Sequence, residues 1–257
     1  MRFLRTKKYS IQTACELLEK YLTVRQLFPN WFTKLDINDP ALEAIIDSGY
    51  LFPLPERDEL GRRIIFSCAS KFDASRFTSA QMARTHALVV EALLDDECSQ
   101  ISGYCYITDE AGLTMGHVSL WSFVDLKNMS KCIQASSPMR HKETHFVNIP
   151  SFANKVIEFT MSLVSDKLKK RIYLDKNIEE LKASVNPALL PKEYGGTVPM
   201  AQIIADFKTD LRKQRAKTMA LDDMFIEVTK SPTNWLGNDE SDIESGVVGS
   251  FRKLEVD

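Results

Sequence analysis

The chain has 257 residues, which is enough to bury one large hydrophobic core or two modest ones. Its apolar fraction of 44% and charged fraction of 26% are typical of a soluble globular protein, and a formal charge of -2 gives no overall attraction to nucleic acid. The five cysteines are odd in number and include no CxxC pair, which argues for reduced thiols in an intracellular protein and against a disulfide framework or a zinc site.

Hydrophobic periodicity and turn signals divide the first half of the chain into helices and strands. They predict helices over 11–28, 40–46 and 80–98 and strands over 63–68 and 104–108. Ser79 is the predicted N-cap of the third helix, because its hydroxyl can accept from a free N–H group of the first turn. Since a helix separates the two strands, they are predicted to be parallel.

The same alternation continues through the second half of the chain. It predicts helices over 124–135, 178–184 and 199–219 and strands over 145–148 and 172–174. The whole pattern is that of an α/β sheet with helices on both faces, preceded by a small helical unit. From Ser231 onward the chain becomes acidic and rich in glycine and serine, which predicts a flexible tail.

The segment 148–171, NIPSFANKVIEFTMSLVSDKLKKR, predicts an apolar helix with a basic end. Its large apolar residues are spaced four, three and four apart, which places them on one helical face. They are Phe152, Val156, Phe159 and Leu163. The basic residues of the predicted last turn can complement the helix dipole or meet an anionic membrane. They are Lys167, Lys169, Lys170 and Arg171. Taken alone, the segment is explained more simply as a core helix with a solvated end.

The sequence lacks the common catalytic signatures of α/β enzymes, namely the Gly-x-Ser-x-Gly elbow, the phosphate-binding loop and GxGxxG. Asp109 and Glu110 follow a predicted strand, but no nucleophile or base pairs with them, so capping and turn formation are the simpler interpretation. His141 and His145 are four residues apart, which would form a metal pair only on a helix, whereas the chain there is predicted to be extended. No metal site is therefore predicted.

One face of the third predicted helix carries small residues that suit a cavity. Ala83, Ala87 and Val90 share this face, and His86 lies beside them. The spacing leaves room for a ligand, but it is equally what core packing requires. His86 is either a hydrogen-bonded core histidine or a single polar group in an apolar pocket, and the residues themselves leave both possibilities open.

Five segments, in this order, resemble the CRAL-TRIO (Sec14-like) lipid-binding family, and within it they are closest to the alpha-tocopherol transfer branch with its insect relatives. The segments are FLRTKKYSIQTACELLEKYLTVR, SGYLFPLPERDELGRRIIF, ITDEAGLTMGH, THFVNIPSFANKVIEF and LLPKEYGG. The resemblance covers roughly residues 1–215. It implies a mixed or parallel sheet flanked by helices, with a mobile lid helix at 148–171 and a short all-α unit before it.

The resemblance also implies domain boundaries. Residues 1–47 would be a truncated helical N-terminal unit, 48–205 the lipid-binding domain, and 206–257 a C-terminal helix with the acidic tail. The family's usual glutamate before the proline that follows the fourth strand is replaced by Ile149. Much of the family's helical unit is missing, so the chain resembles a short form.

Two sets of site residues follow from the resemblance. The implied wall of the ligand pocket consists of Ala83, His86, Ala87, Val90, Tyr104, Tyr106, Thr108, Leu113, Met115, Met129, Ile133, Met139, Phe152, Val156, Phe159 and Leu163. The implied phosphoinositide-binding residues are Lys7, Arg140, Lys142, Lys167 and Arg171. At several of these wall positions the tocopherol binder has larger apolar residues than this chain. The implied ligand is therefore not narrowed to tocopherol, and it is described as tocopherol-, retinoid- or phospholipid-like.

The function implied is that of an intracellular, non-enzymatic lipid-transfer protein that holds one hydrophobic ligand, needs no other cofactor and docks on phosphoinositide membranes. The N-terminus lacks the apolar region of a signal peptide, and no apolar run of about 20 residues occurs, which predicts peripheral attachment to endosomal or other intracellular membranes. The predicted protein is a monomer that binds no nucleic acid. The alternative is a phosphoinositide-dependent adaptor whose lipid is structural.

Overall fold

The computed structural model describes residues 1–227, so the predicted acidic tail lies outside the described residues. Five strands form one sheet in sequence order. Their bounds are β1 Leu51–Arg57, β2 Arg63–Cys68, β3 Tyr104–Asp109, β4 His141–Val147 and β5 Ile172–Asp175. Strands β2 to β5 are parallel and β1 is antiparallel to β2, which confirms the predicted parallel α/β sheet.

Helices precede the sheet, connect its strands and follow it. The helices are α1 Arg2–Thr6, α2 Ile11–Leu27, α3 Pro29–Phe32, α4 Pro40–Asp47, α5 Ser79–Leu93, α6 Glu97–Ser102, α7 Met115–Ser119, α8 Phe123–Ser136, α9 Asn154–Ser162, α10 Asp166–Lys169, α11 Ile178–Lys182 and α12 Met200–Ala220. Short 3-10 turns lie at Ala69–Lys71, Ser151–Ala153, Pro187–Leu189, Lys192–Tyr194 and Leu221–Asp223. Within the described part of the chain, no helix combines the length and the apolar content that crossing a bilayer requires.

The sequence did not predict strand β1. Its sequence, LFPLPER, contains Pro53 and Pro55, and proline usually argues against a strand. The structure places β1 at the edge of the sheet, where a residue without an N–H group is tolerated. Strand β4 also begins four residues earlier than the predicted strand over 145–148.

The predicted single helix over 80–98 is wrong, because the chain forms α5 and α6 with a break between them. Thr78, not Ser79, caps α5, and its hydroxyl accepts from the N–H of Gln81 in a capping box. Asp96 starts α6 by accepting from the N–H of Ser99 at 2.9 Å. The second cap explains the break, since an N-cap residue leaves the helical conformation.

The predicted helix over 148–171 is also interrupted, by a turn at residues 163–165. Ser165 is the N-cap of α10, and its N–H donates to the side chain of Gln134 on α8 at 2.9 Å. The basic residues that follow therefore belong to α10 and to the start of β5, not to the last turn of α9. We call α9, together with the 3-10 turn Ser151–Ala153 before it, the lid segment.

Strands β2 to β5 follow one another across the sheet in the same direction. Because the crossover between two parallel strands is right-handed, all of these connections lie on the same face, and that face therefore carries α5, α8 and α9. We call this the upper face, and Tyr106 points toward it, since its hydroxyl lies 3.7 Å from the sulfur of Met139 just after α8. After β5 the chain returns across the lower face. There the ring of Tyr194 lies 4.8 Å from that of Phe66.

Candidate functional site

Helix α5 presents its row of small residues to the upper face of the sheet. Ala83 and Ala87 are buried, while His86 and Val90 are half-buried. The Nε2 atom of His86 lies 2.9 Å from the hydroxyl of Tyr50, so the histidine has a hydrogen-bond partner from the chain just before β1. This polar pair lies beside the small apolar residues of α5 that the sequence analysis assigned to the pocket wall.

Surrounding protein shields the imidazoles of His86 and His141 from water. Burial lowers the pKa of His86 to about 4, yet the side chain keeps accessible surface. His141, at the start of β4, behaves in the same way: burial first, and then the charge of Arg171, lowers its pKa to about 4, and it too is half-buried. Both imidazoles are thus shielded from bulk water and held in their neutral form at ordinary pH.

Strand β3 contributes three of the predicted wall residues to the upper face. Tyr104, Tyr106 and Thr108 alternate along the strand and therefore share a face. Tyr104 is fully buried and its hydroxyl donates to the carbonyl of Leu93 at 3.0 Å, so it closes one end of α5. Tyr106 is half-buried, and its ring stacks on His141 with 5.1 Å between the centroids.

The predicted wall residues between β3 and β4 differ in their exposure. Met139 is buried, and Leu113 and Met129 are half-buried. The side chains of Met115 and Ile133 are 46% and 44% exposed. The role of all five in a pocket wall remains a prediction.

The lid segment carries the remaining apolar wall residues. Val156 and Phe159 are half-buried, and the ring of Phe159 meets that of Phe123 on α8 edge to face at 4.8 Å. Phe152 is 43% exposed. The segment thus has an inward apolar side and one large outward apolar residue.

Polar contacts with α8 hold the end of α9. The carbonyl of Leu163, also a predicted wall residue, accepts from the Ser130 hydroxyl at 3.3 Å and from the Gln134 amide at 2.9 Å. Gln134 accepts in turn from the N–H of Ser165. These hydrogen bonds join the chain just after the lid segment to α8, and surface hydrogen bonds of this kind can break without unfolding a core.

Sequence reasoning missed two polar groups near the upper face, Tyr50 and Glu110. It also did not assign His141 to that face. Burial, and then the charge of Asp109, raises the pKa of Glu110 to about 7. The position of Glu110 directly after β3 was visible in the sequence, but the chain offered no partner that would mark it. His141 was hidden by a bulge at Lys142, which turns it to the same face as Tyr106.

Asp109 has the structural role that its position predicts. Its Oδ1 accepts from the N–H of Ala111 at 3.0 Å and from the amide of Asn148 at 2.8 Å, and its Oδ2 accepts from the hydroxyl of Tyr194 at 2.7 Å. These bonds join the turn after β3 to β4 and to the lower face. Asp109 therefore fixes the frame next to Glu110.

The five predicted phosphoinositide-binding residues lie around the amino ends of β4 and β5. We call them the cationic cluster, and they are Lys7, Arg140, Lys142, Lys167 and Arg171. Arg140 donates to the carbonyls of Arg5 and Ile101, and Arg171 donates to that of His141. Both guanidinium groups are thereby oriented by neutral backbone atoms.

The chain around Arg140 is packed closely against the start of β3. A Cβ atom at Gly103, where φ is +94°, would lie 2.6 Å from the carbonyl oxygen of Arg140 and 2.7 Å from Cγ of Lys142. Only glycine fits there. Lys7 reaches the same region, because Thr6 donates to the carbonyl of Pro138 at 2.8 Å. Lys167 lies exposed on α10, four residues before Arg171.

The charges of the cationic cluster are not neutralised within residues 1–227, where none of its members pairs with a carboxylate. The basic residues of α12 differ in this respect, since each lies within 4 Å of an acidic side chain. These residues are Lys208, Arg212, Lys213, Arg215 and Lys217. An anionic ligand would therefore meet free positive charge at the cluster and neutralised charge on α12.

Comparison with known proteins identifies the family to which this arrangement is related. A model of the CRAL/TRIO domain matches residues 47–196, more than half of the chain. Clavesin-1 of Xenopus laevis is 32% identical over 200 residues, which is 77% of this chain and 60% of the relative. Clavesin-2 of Homo sapiens is 30% identical over 200 residues, which is 77% of this chain and 61% of the relative. The chain thus spans about 60% of the length of these curated relatives.

The crystal structure of Sfh5 has the same fold. It resembles this chain with a TM-score of 0.54 at 17% sequence identity, over 91% of this chain and 76% of that one. At this identity the likeness concerns the fold alone. The predicted closeness to the tocopherol-transfer branch goes beyond membership of the family, and it stays a prediction.

Proposed function

The chain belongs to the CRAL/TRIO domain family of lipid-binding proteins, and from this premise we propose that it is a non-enzymatic carrier that moves one hydrophobic ligand between membranes. The ligand would lie between the upper face of the sheet, α5 and the lid segment. The observation that supports the proposal is the set of half-buried apolar and aromatic side chains on α5, β3 and the lid segment, with the hydrogen-bonded pair His86 and Tyr50 beside them. A mostly apolar lining with a few polar groups is what a small-molecule site requires.

The polar groups of the cavity restrict the chemistry of the ligand. Tyr50 and His86 form one hydrogen-bonding pair, and Glu110, with its pKa near 7, can offer a second partner. A ligand with a mostly apolar body and one polar end, such as a tocopherol-, retinoid- or phospholipid-like molecule, satisfies both features. A purely hydrocarbon ligand would leave these groups without additional partners.

The membrane side of the proposal rests on the cationic cluster. Unpaired Arg and Lys side chains can form charge-assisted bonds with phosphate oxygens, and each contributes roughly 1 kcal/mol near an anionic surface. We propose phosphoinositide headgroups as the anion, and peripheral attachment to endosomal or other intracellular membranes as the result. No protein or nucleic-acid partner is needed for this action.

Blocking the pocket tests ligand binding. Thr108 faces the upper side of β3 and is half-buried, so Thr108→Phe would fill space that the ligand is proposed to use. Native mass spectrometry of the purified protein is expected to show a bound lipid, and the variant should carry several-fold less of it. Ile101→Phe, at a position 60% exposed, is the control for added aromatic bulk and should retain the lipid. Equal lipid in parent and Thr108→Phe would contradict the pocket assignment.

Changing the outward phenylalanine of the lid segment tests transfer. Burying a phenylalanine side chain in a bilayer contributes on the order of 1.5–3 kcal/mol. Phe152→Ser is therefore expected to slow the transfer of ligand between vesicles about tenfold while leaving the bound lipid in place. Leu60→Ser, at a position 68% exposed in the turn between β1 and β2, should transfer at the parent rate. No transfer by the parent protein would favour the adaptor alternative.

A further inference from the structure

The lower face of the sheet carries a cluster of three metal-binding residue types, away from the cavity. Cys105 on β3 lies opposite Glu143 on β4, and His145 follows Glu143 on the same face. One candidate ligand atom from each residue lies within 4.8 Å of the other two. Cys105 and His145 are buried and Glu143 is half-buried. A thiol, a carboxylate and an imidazole therefore converge at one point of two adjacent strands.

His145 is held as a metal ligand would be. Its ring is 1% exposed, and its Nδ1 atom lies 2.8 Å from Oδ2 of Asp175 on β5. Because a carboxylate accepts only, the neutral imidazole in this position donates from Nδ1, which leaves the lone pair on Nε2. Nε2 is buried and has no hydrogen-bond partner. A buried polar atom without a partner is unfavourable, and a cation in the cluster would supply the missing interaction.

Glu143 is oriented toward the same point. Its Oε1 accepts from Nη1 of Arg62 at 2.8 Å, and Arg62 is itself bound to Asp58. The second oxygen, Oε2, is left facing Nε2 of His145 at 3.8 Å. Arg62 thus fixes the carboxylate in the rotamer that an ion between Glu143 and His145 would use.

We propose that Cys105, Glu143 and His145 form a zinc site. Thiolate, imidazole and carboxylate are the zinc ligands of proteins, at about 2.0–2.3 Å, so tetrahedral ligand atoms lie roughly 3.3–3.7 Å apart. The 3.8 Å between Glu143 and His145 is already close to this spacing, and all three ligand atoms lie within 4.8 Å of one another. Binding displaces the thiol proton of Cys105 to solvent, and water completes the coordination. Asp175 orients the imidazole from behind, as carboxylates commonly do for zinc-bound histidine.

Zinc at this position would join β3 to β4 on the side opposite the ligand pocket. It would therefore act on the stability of the sheet and not on ligand binding itself. The proposal does not depend on lipid transfer, because its residues are separate from those of the upper face. Both proposals can consequently fail or hold independently.

Zinc and cobalt titrations of the full chain test the site. The exposed thiols are first replaced by Cys15→Ser and Cys98→Ser, which leaves three buried cysteines. This parent is expected to bind one Zn²⁺ in competition with a chromogenic chelator, and to melt at a higher temperature with zinc. Co²⁺ should produce thiolate-to-metal charge-transfer absorption. Cys105→Ser should abolish that absorption and weaken zinc binding at least as much as Asp175→Asn, for which about 10–100-fold is expected.

Cys132→Ser is the matched control, because Cys132 is also a buried free thiol but lies on α8. It should bind both metals like the parent. Circular dichroism of each variant without metal separates loss of folding from loss of a ligand, and Cys105→Ala provides a second non-ligating variant should Cys105→Ser unfold. Parent protein that binds no zinc, or zinc and cobalt binding unchanged in the folded Cys105 variants, would overturn the proposal.

Discussion

Replacing Lys7, Lys142 and Lys167 by alanine is expected to weaken binding to phosphoinositide-containing vesicles by about 100-fold at low salt. Each lysine near an anionic surface contributes roughly 1 kcal/mol, and about 1.4 kcal/mol corresponds to a factor of ten. The three lysines form no ion pair within residues 1–227, so their charge acts on the membrane undiminished. Vesicle co-sedimentation at several salt concentrations measures the effect, which should shrink as salt screens the charges.

The choice of lysines keeps the fold of the cationic cluster intact. Arg140 and Arg171 donate hydrogen bonds to backbone carbonyls, so their removal would also disturb the amino ends of β4 and β5. The matched control removes three positive charges from α12 through Arg212→Ala, Lys213→Ala and Lys217→Ala. Because these residues are paired with carboxylates, the control should bind vesicles almost like the parent. Equal losses in both triple variants would show that net charge, and not the cluster, governs attachment.

The same two variants separate docking from ligand binding. The lysine variant should retain its bound lipid, since none of the three residues lies on the upper face between α5 and the lid segment. Its transfer between neutral vesicles should match that of the parent, and only the preference for phosphoinositide acceptors should disappear. Loss of the lipid itself would mean that the cluster supports the pocket and not the membrane contact.

The sequence was most informative where local pattern and tertiary structure agree. Strands β2, β3 and β5 and the second half of β4 were recognisable because each is a short, largely apolar run followed by a helical period, and this order alone implies a parallel sheet. Strand β1 was not, because the prolines that weaken its local signal are tolerated only at an edge that the sequence does not reveal. The break after α9 depends on Gln134, which is about 30 residues away in the chain. No local period could have shown it.

The site was less predictable than the fold, because it depends on strand register. His141 and Glu143 would share a face in a regular strand, but the bulge at Lys142 directs His141 to the upper face and Glu143 to the lower face. The convergence of Cys105 with Glu143 and His145 has the same origin. In the sequence, the cysteine has no second cysteine at metal-ligand spacing, and the histidine lies four residues from His141 in a segment predicted to be extended, not helical. No metal site was therefore predicted.

Acidification from pH 7.5 to 5 is expected to lower the free energy of unfolding through protonation of His86 and His141. The folded-state pKa of His86 and His141 lies near 4, below the ordinary value of 6.5. The unfolded chain therefore binds more protons below pH 6.5, and stability falls as pH falls until it levels off near pH 4. At about 1.36 kcal/mol per pH unit, each ring contributes up to about 3 kcal/mol, of which about 2 kcal/mol is lost by pH 5.

Glu110 acts in the opposite direction. Its folded-state pKa of about 7 lies above the ordinary 4.5, so its stability contribution is complete below pH 4.5 and is lost as pH rises to 7. When the pH falls from 7.5 to 5, protonation of Glu110 raises the free energy of unfolding by up to about 2 kcal/mol, which offsets the loss caused by one of the two histidines. The parent should therefore lose about 2 kcal/mol of unfolding free energy over this interval, and Glu110→Gln about 4 kcal/mol.

Urea unfolding at the two pH values of the double variant His86→Gln and His141→Phe gives the sharpest test. Glutamine can still bond to Tyr50, and phenylalanine can still stack on Tyr106, so the contacts remain while the titration is removed. With both of these histidines removed and Glu110 retained, this variant should become more stable at pH 5 than at pH 7.5. A double variant that loses as much stability as the parent would place the acid-sensitive groups outside the pocket. In the proposed carrier the lid segment must open to release the lipid, so the parent's loss of stability should coincide with faster release at pH 5, and the double variant should show neither change.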